Sequence, residues 1–588
     1  MVEKINRGFF KNFLPVIILI FLIIPVILPL LHKGFFSMHD DEQIARLYEL
    51  DQSVKAIDIP PRWVSDLGFG FGYPLFNFYP PLVYYFGEAF HLLGFSLIDS
   101  TKIVMGLGFF LSSVFTFLWV KKYAGVLGGI VAATLYVYAP YHGVDLYVRG
   151  AFAEFFSFVW LPAIFWSLDK VVEKKNIKWM LISSLFLAFV VLTHNLIALP
   201  FIFFLSVYIL FILIKKRSQI KVLIPMFMII GIVALGLTAY FWLPALAEKK
   251  YTLVDAILTR ELANYNIHFV YANQFWNSPW GYGGSVAGPN DGVSFQVGKF
   301  QLLLSFLTGI LCIDSFIRRK KEKILFFIGI FSLFFFSLFM ATSYSKSLWD
   351  MFAPLAYLQF PWRFLEFSAV FSSFLGGVFI LFIRKFFGEK TTIFIGMSII
   401  VGSIILIVRF FHPSIYIANQ DNDYITNQDI QWRVSKMSFE YVPKGVATYI
   451  SPLDTTQLAI EKKDISTKSF SVAKGNMQVV EEINKPSYKK YTVSGAGGVM
   501  VINTYVFPGW SVFIDGKKEQ ITKFGKLQLI SFFIQRGVHT VEVQFENTSI
   551  RTIGNTISMV SMSVFFVAIF YNLFVNNAII KKEISKLS

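Results

Sequence analysis

Long apolar runs recur along most of this chain, separated by short polar connections. Periodicity within the runs is weak, and their length is what carries the signal. A helix needs about 20 mainly apolar residues to cross a bilayer. Twelve segments approach that length, at approximately 13–31, 102–120, 124–140, 153–168, 179–193, 196–214, 222–243, 300–317, 324–342, 364–383, 391–411 and 554–575. Three polar stretches between them are too long to be plain connectors: 32–101, 244–299 and 412–553.

The three stretches differ in pattern. The first holds "PPLVYYFGEAFHLLG", a dozen or so apolar residues around Glu88 and His91. It is short for a crossing, and counting it as one would invert every later loop. It reads as a helix in the membrane interface, with Tyr84 and Tyr85 at headgroup level, or as a half-helix in a cavity wall. The second holds "ANQFWNSPWGYGGSVAGPNDG", which has the Gly, Asn and aromatic content of a loop with turns and reads as a lid or a mobile loop. In the third, "YKKYTVSG", "GVMVINTYV", "WSVFIDG", "LQLISFFI" and "HTVEVQFE" alternate apolar and polar residues between turn signals. Short strands so spaced predict an antiparallel β-sandwich before the last helix.

Composition agrees with a polytopic membrane protein: 588 residues, 55% hydrophobic and only 15% charged. The net charge of +16 would suggest a polyanion partner if it were spread over a surface. Instead, one alternating set of loops carries it. The set is Lys4, Arg7 and Lys11; Lys121 and Lys122; Lys170, Lys174, Lys175 and Lys178; Lys215, Lys216, Arg217 and Lys221. It continues with Arg318, Arg319, Lys320, Lys321 and Lys323; Arg384, Lys385 and Lys390; and Lys581, Lys582 and Lys586. These 24 basic residues face seven acids, a net of +17, and the remaining charges nearly cancel. The excess is therefore a topology signal that places both termini in the cytoplasm and the three long stretches outside; it argues against nucleic acid. The first run has a basic flank and no small-residue cleavage site, and reads as a retained anchor. The only cysteine, Cys312, lies in a predicted span, which excludes intrachain disulfides.

Ionisable residues gather at the outer ends of several spans. Asp40, Asp41 and Glu42 follow the first. Asp145, Arg149 and Glu154 lie in "YHGVDLYVRGAFAE", His194 and Asn195 in "LTHNLIAL", and Arg363 and Glu366 in "LQFPWRFLEF". Each has a plain structural reading: Arg149 and Glu154 pair, Arg363 reaches headgroup phosphates, His194 caps a helix, and the acids favour a helix start. Four clusters at one depth favour a cavity. Arginine suits a lipid phosphate, and a carboxylate suits general-base removal of an acceptor's proton. Together they fit sugar transfer from a lipid-phosphate donor.

"HDDEQIARL", "IPPRW", "GFGYPLFNFYPPLVYY", "YVRGAFAE", "LTHN" and "QFPWRFLEF" occur in that order. Through them the chain resembles the prokaryotic family of 6-pyruvoyl-tetrahydropterin synthase-related membrane proteins, which in turn resembles GT-C glycosyltransferases. Pterin-synthase chemistry itself needs three histidines on zinc, and the chain has no His-x-His pair or histidine cluster. The GT-C resemblance implies an essential Asp shortly after the first span. It therefore places Asp40 as the base, with Asp41 and Glu42 as competitors. The family often has His where this chain has Gln43, which leaves no metal role at that position. Arg62, Arg149, Glu154, His194, Asn195, Arg363 and Glu366 are the substrate-binding candidates. A carboxylate cluster is able to hold a divalent cation through oxygen ligands, but no metal ligand set is assigned.

The expected architecture is an α-helical GT-C-like membrane domain of about twelve spans over 1–411. A β-sandwich follows over 412–553, and a final helix with a cytoplasmic tail over 554–588. The expected function is transfer of a sugar from a polyprenyl-phosphate-linked donor to a glycan, lipid or protein outside the prokaryotic cytoplasmic membrane. A non-catalytic transporter or assembly scaffold for lipid-linked glycans is the alternative.

Overall fold

The computed structural model describes residues 2–259, 263–319, 322–446, 448–450, 456–458, 460–465 and 468–584. Lys320, Lys321 and Lys586 of the basic set lie outside the described residues. Among the described residues nine helices are long and apolar enough to cross a membrane, and Ile177–Thr193 is apolar but shorter. This is a membrane protein built mainly of helices.

Two of the helices are double. Leu97–Val137 contains Gly125 at φ 75° and ψ −175°, and Leu365–Ile407 contains Gly388 at φ 78° and ψ −179°. Neither conformation suits a residue with a Cβ, so each glycine breaks its helix into two arms. Both breaks sit just after basic pairs, Lys121–Lys122 and Arg384–Lys385, where sequence places loops. The two breaks also meet: a Cβ on Gly125 would lie 3.8 Å from the Arg384 guanidinium. Lys122 pairs with Asp169 and Glu173, each at 3.1 Å, and Lys215 lies over the rings of Tyr123 and Phe326. Basic loops from four sequence regions thus share one end of the helical body.

The first long stretch packs at the other end. Helix Gln43–Lys55 lies against Leu82–His91, where Leu47 fills the space beside Gly87. Tyr84 is fully buried and donates its hydroxyl to Gln43 at 2.7 Å. This corrects the headgroup placement of Tyr84: the helix is part of a wall, and the large exposed apolar side chains, Leu92, Leu93 and Phe95, lie beyond it. The buried Glu49 carboxylate accepts the backbone N–H groups of Ser65, Asp66 and Leu67 at 3.3, 3.0 and 2.7 Å, which fixes the glycine-rich turn that follows.

The C-terminal strands make one curled antiparallel sheet of seven strands in place of the expected sandwich. Tyr488–Tyr505 is its axis. Phe470–Asn484 runs along one edge. Along the other edge, Gly537–Phe545 pairs with its first half and Leu529–Ile534 with its second. The strand changes partner at Gly495–Gly498, so two expected layers are continuous through one bent strand. The sheet docks on the first loop through Trp63 against Trp510 and Phe545, and Phe71 against Tyr505.

Its return helix is latched as well. Glu248 accepts from Asn77 at 2.9 Å, from Thr548 at 2.6 Å, and from Arg551 at 2.9 and 2.8 Å.

Candidate functional site

A short backbone ladder brings the acids after the first span to the second motif. His39 and Asp40 donate their N–H groups to the carbonyls of Val148 and Arg149 at 3.0 and 2.8 Å. Gln43 clamps this ladder, donating to the carbonyls of Asp40 and Gly150, both at 3.0 Å, while accepting from Tyr84. Both of its amide N–H donors are used on structure. Gly150 has φ +65°, and a Cβ there would overlap the Met38 side chain, so glycine is what lets the two segments meet.

The three acids separate in role. Asp40 is half-buried, and its carboxylate makes no hydrogen bond among the described residues; its charge bears on Arg149, Glu42 and Tyr79. Asp41 accepts from Arg433 at 2.5 Å, and Arg433 also grips Asp429. That clip fastens the first loop to the segment that follows helix Leu365–Ile407. Glu42 pairs with Arg46 at 3.0 Å. Burial pushes its carboxyl from 4.5 up to about 7, opposed by Arg46 and reinforced by Asp40.

Behind Asp40 is a buried charge network. Glu154, 1% exposed, receives the Tyr141 hydroxyl at 2.6 Å on one oxygen. Its other oxygen accepts from Arg363 Nε at 2.9 Å and forms an ion pair with Arg149 Nη1 at 3.0 Å, while Arg149 Nη1 donates to the Tyr141 hydroxyl at 3.2 Å. Arg149 also pairs with Asp145 and lies over the Trp362 ring, 4.5 Å from its centroid. Arg363 Nη1 donates to Leu358 O at 2.7 Å and Gln359 Oε1 at 3.2 Å. Guanidinium groups carry five N–H donors. Nε and Nη2 of Arg149 and Nη2 of Arg363 have no acceptor among the described residues. Glu366 accepts from Ser157 at 2.6 Å, and its second oxygen is buried without a partner among those residues. His194 Nδ1 caps the following helix through Ile197 N at 3.0 Å, and charges on Glu154, Arg363 and Arg149 act on its ring.

Asp40, Arg149, Glu154, His194, Arg363 and Glu366 therefore converge from four sequence regions, with half-buried Asn195 next to His194. Arg62 does not join them. It donates to Asn77 at 2.8 Å, Tyr240 O at 3.0 Å and Asn555 at 2.8 Å, beside the Glu248–Arg551 latch. Sequence reasoning missed Arg433, whose partner Asp41 is distant in the chain, and Tyr141, which opens the quoted "YHGVDLYVRGAFAE" but has no charge to mark it there. No group of three His, Cys, Asp or Glu side chains is placed to hold a metal ion among the described residues.

The second long stretch covers this region as a folded loop. Tyr282 O accepts from His39 at 2.9 Å, and its hydroxyl meets His412 at 3.0 Å. Trp280 stacks on Phe410, and Phe295 on Trp362. The loop is closed on itself by Gly283–Gly292 backbone bonds and by Asp291, which accepts from Gln274 and Val286 N.

Residues 76–412 match the 6-pyruvoyl-tetrahydropterin synthase related domain, described as a membrane protein family. The chain belongs to that family. An uncharacterized protein of Lactococcus lactis subsp. cremoris (strain MG1363) is 25% identical over 338 residues. The match covers 55% of this chain and 53% of that one, so it spans about half the length of this curated relative. Among solved structures, the apo oligosaccharyltransferase of Archaeoglobus fulgidus aligns with a TM-score of 0.43 at 11% identity, covering 69% of this chain and 56% of that one. The AglB oligosaccharyltransferase of the same organism, in complex with an inhibitory peptide and a dolichol-phosphate, aligns with a TM-score of 0.42 at 12% identity, covering 69% and 57%.

Proposed function

We propose that this protein is a membrane glycosyltransferase that moves a sugar from a polyprenyl-phosphate donor to a hydroxyl- or amide-bearing acceptor outside the cytoplasmic membrane. The observation that carries the reading is the unpartnered Asp40 carboxylate held beside Arg149, whose Nε and Nη2 have no protein acceptor among the described residues. In a direct displacement, the acceptor heteroatom attacks the anomeric carbon and gives its proton to Asp40. The bond from that carbon to the phosphate oxygen breaks, and the polyprenyl phosphate leaves with the electron pair. Arg149 and Arg363 stabilise its growing charge, help of a kind worth about 3 kcal/mol per donor.

Topology belongs to the same proposal. Counting the arms of the two double helices separately, with Ile177–Thr193, gives twelve crossings. The basic end is then cytoplasmic with both termini, and Asp40 and the strand domain of 412–553 lie outside. The membrane body of 1–411 and the last helix of 554–588 bracket that domain.

The test uses purified protein in lipid with a panel of labelled polyprenyl-phosphate sugars, scoring transfer or release. Wild type turns over, and Asp40→Asn loses turnover while keeping its fold and its affinity for the donor. Full activity in Asp40→Asn sinks the assignment of the base. Donor binding without turnover in the wild type favours a glycan carrier or scaffold.

A further inference from the structure

A cavity of about 780 Å³ lies outside the site described above, between the end of the first span and the start of the next. Its lining is graded. Ile27, Leu30 and Ile103 form an apolar part, and Lys33, Lys102, Asn419, Asp421 and the exposed Asp99, whose charge bears on Lys102, a polar one. Both spans end here, so the apolar part lies at hydrocarbon depth and the polar part at headgroup depth. Lys102 is 8% exposed, and its ammonium donates to the His32 carbonyl at 2.5 Å; that satisfies one of three N–H donors. Lys33 is exposed and has no acceptor among the described residues. The helix start at Leu97 is already capped, with Asp421 accepting Leu97 N at 2.7 Å and Ile98 N at 3.0 Å. The Asp421 carboxylate is committed to that backbone, so an anion here would meet the two lysines, with the exposed Asp99 carboxylate beside Lys102, and not the helix end. Gly106 also lines the cavity, and a Cβ on it would meet nothing within 4 Å.

We propose that this cavity binds one phosphate-bearing membrane lipid, with its phosphate on Lys102 and Lys33 and its chain along Ile27, Leu30 and Ile103. A bare phosphate fits poorly, since it would leave the apolar part uncovered. An uncharged lipid would leave buried Lys102 with unused donors. Next in the chain to Gly34 of the lining, Phe35 and Phe36 pair with Ile417 and Tyr416, and Ser37 N bonds Ile415 O at 3.0 Å, just before the Asp40 ladder. The binding does not depend on the sugar-transfer reading.

Native mass spectrometry of the purified full chain tests it. Detergent-solubilised protein is titrated with phosphatidylglycerol, phosphatidylethanolamine, undecaprenyl phosphate, diacylglycerol and inorganic phosphate. One phosphate-bearing lipid is expected to bind well above diacylglycerol and inorganic phosphate. Preference for a glycerophospholipid or for the prenyl phosphate identifies the source. Lys102→Ala weakens that binding about tenfold or more, the loss expected for a charge-assisted contact. Gly106→Leu projects its side chain from a position whose Cβ meets nothing within 4 Å and weakens binding similarly, which keeps the test alive if Lys102→Ala does not fold. Asp40→Asn leaves it unchanged, so failure here is distinct from failure of the transferase reading. Equal affinity for diacylglycerol, or Gly106→Leu binding as tightly as wild type, overturns the proposal.

Discussion

Glu154→Gln changes one oxygen to an amide nitrogen at the point where two arginines and a tyrosine converge, with almost no change in shape. Its consequence follows from the contacts. One carboxylate oxygen takes Arg149 at 3.0 Å and Arg363 at 2.9 Å, and the other takes Tyr141 at 2.6 Å. Hydrogen bonds to charged groups contribute roughly 1.5–3 kcal/mol each. The Arg363 hydrogen bond and the Arg149 ion pair share an oxygen and cannot be summed, so the cost approaches the roughly 3–5 kcal/mol of breaking a buried ion pair. Gln also leaves two buried cations with Asp145 as the nearer remaining counter-charge and Glu366 bonded to Ser157.

The assay is equilibrium unfolding in mixed micelles on wild type, Glu154→Gln, Arg363→Gln and the double variant. The single Glu154→Gln loss should exceed the Arg363→Gln loss, because it takes the counter-charge from two buried guanidinium groups, whereas after Arg363→Gln the carboxylate still has Arg149 and Tyr141. The pair should show a coupling of about 1.5–3 kcal/mol, within the range for contacting residues. Additivity within about 0.5 kcal/mol would refute the claim that Glu154 is what holds Arg363 in place. Stability unchanged in Glu154→Gln would refute the network as a whole.

Glu42 gives a pH signature. Its folded carboxyl, raised to about 7 from 4.5, keeps a proton that the unfolded chain has already lost. Stability should therefore fall as pH rises from about 4.5 to about 7, by at most about 3 kcal/mol. Glu42→Gln should flatten that slope, and an unchanged slope counts against the assignment. Gly150→Ala forces a left-handed residue, a cost of about 1–2 kcal/mol, and pushes on Met38. If displaced Asp40 is the base, sugar transfer should fall by roughly a hundredfold while donor binding persists; normal turnover contradicts the ladder's role. In a Cys312→Ser background, Lys517→Cys should react with an impermeant maleimide on intact cells. Lys385→Cys should react only after permeabilisation, and the reverse pattern would invert the proposed topology.

Much of the helical body was legible because crossing a bilayer demands length and apolarity, which composition shows directly. Even the two double helices were foreshadowed: the basic pairs at 121–122 and 384–385 marked loops, although the structure keeps helix on both sides of Gly125 and Gly388. Partner choice was not legible. Alternation and β-branched content in "YTVSG" and "VMVINTY" marked strands, but nothing told that one bent strand carries both segments, which is why a sandwich was expected and a single curled sheet found. Arg62 sits in a motif next to the site residues in sequence. The first loop instead folds it toward Asn555 near the chain's last helix, and no local signal records a contact across 493 positions.

The same contrast bears on why carboxylates crowd a site proposed for phosphate. Two guanidinium groups at membrane depth are costly unless paired, so arginines without carboxylates would not be held buried there at all. Asp145 and Glu154 supply the pairing, but by stacking both arginines on one Glu154 oxygen they use only part of the donor set. Nε and Nη2 of Arg149 and Nη2 of Arg363 are left over among the described residues. A separate carboxylate on each arginine, gripping both forks in the bidentate way Arg prefers, would have held the charges more firmly and left less for a ligand. The plain reading of Arg149 and Glu154 as a structural pair and the functional reading as a phosphate contact are thus compatible. The pair is the scaffold, and its unsaturation is the candidate binding surface.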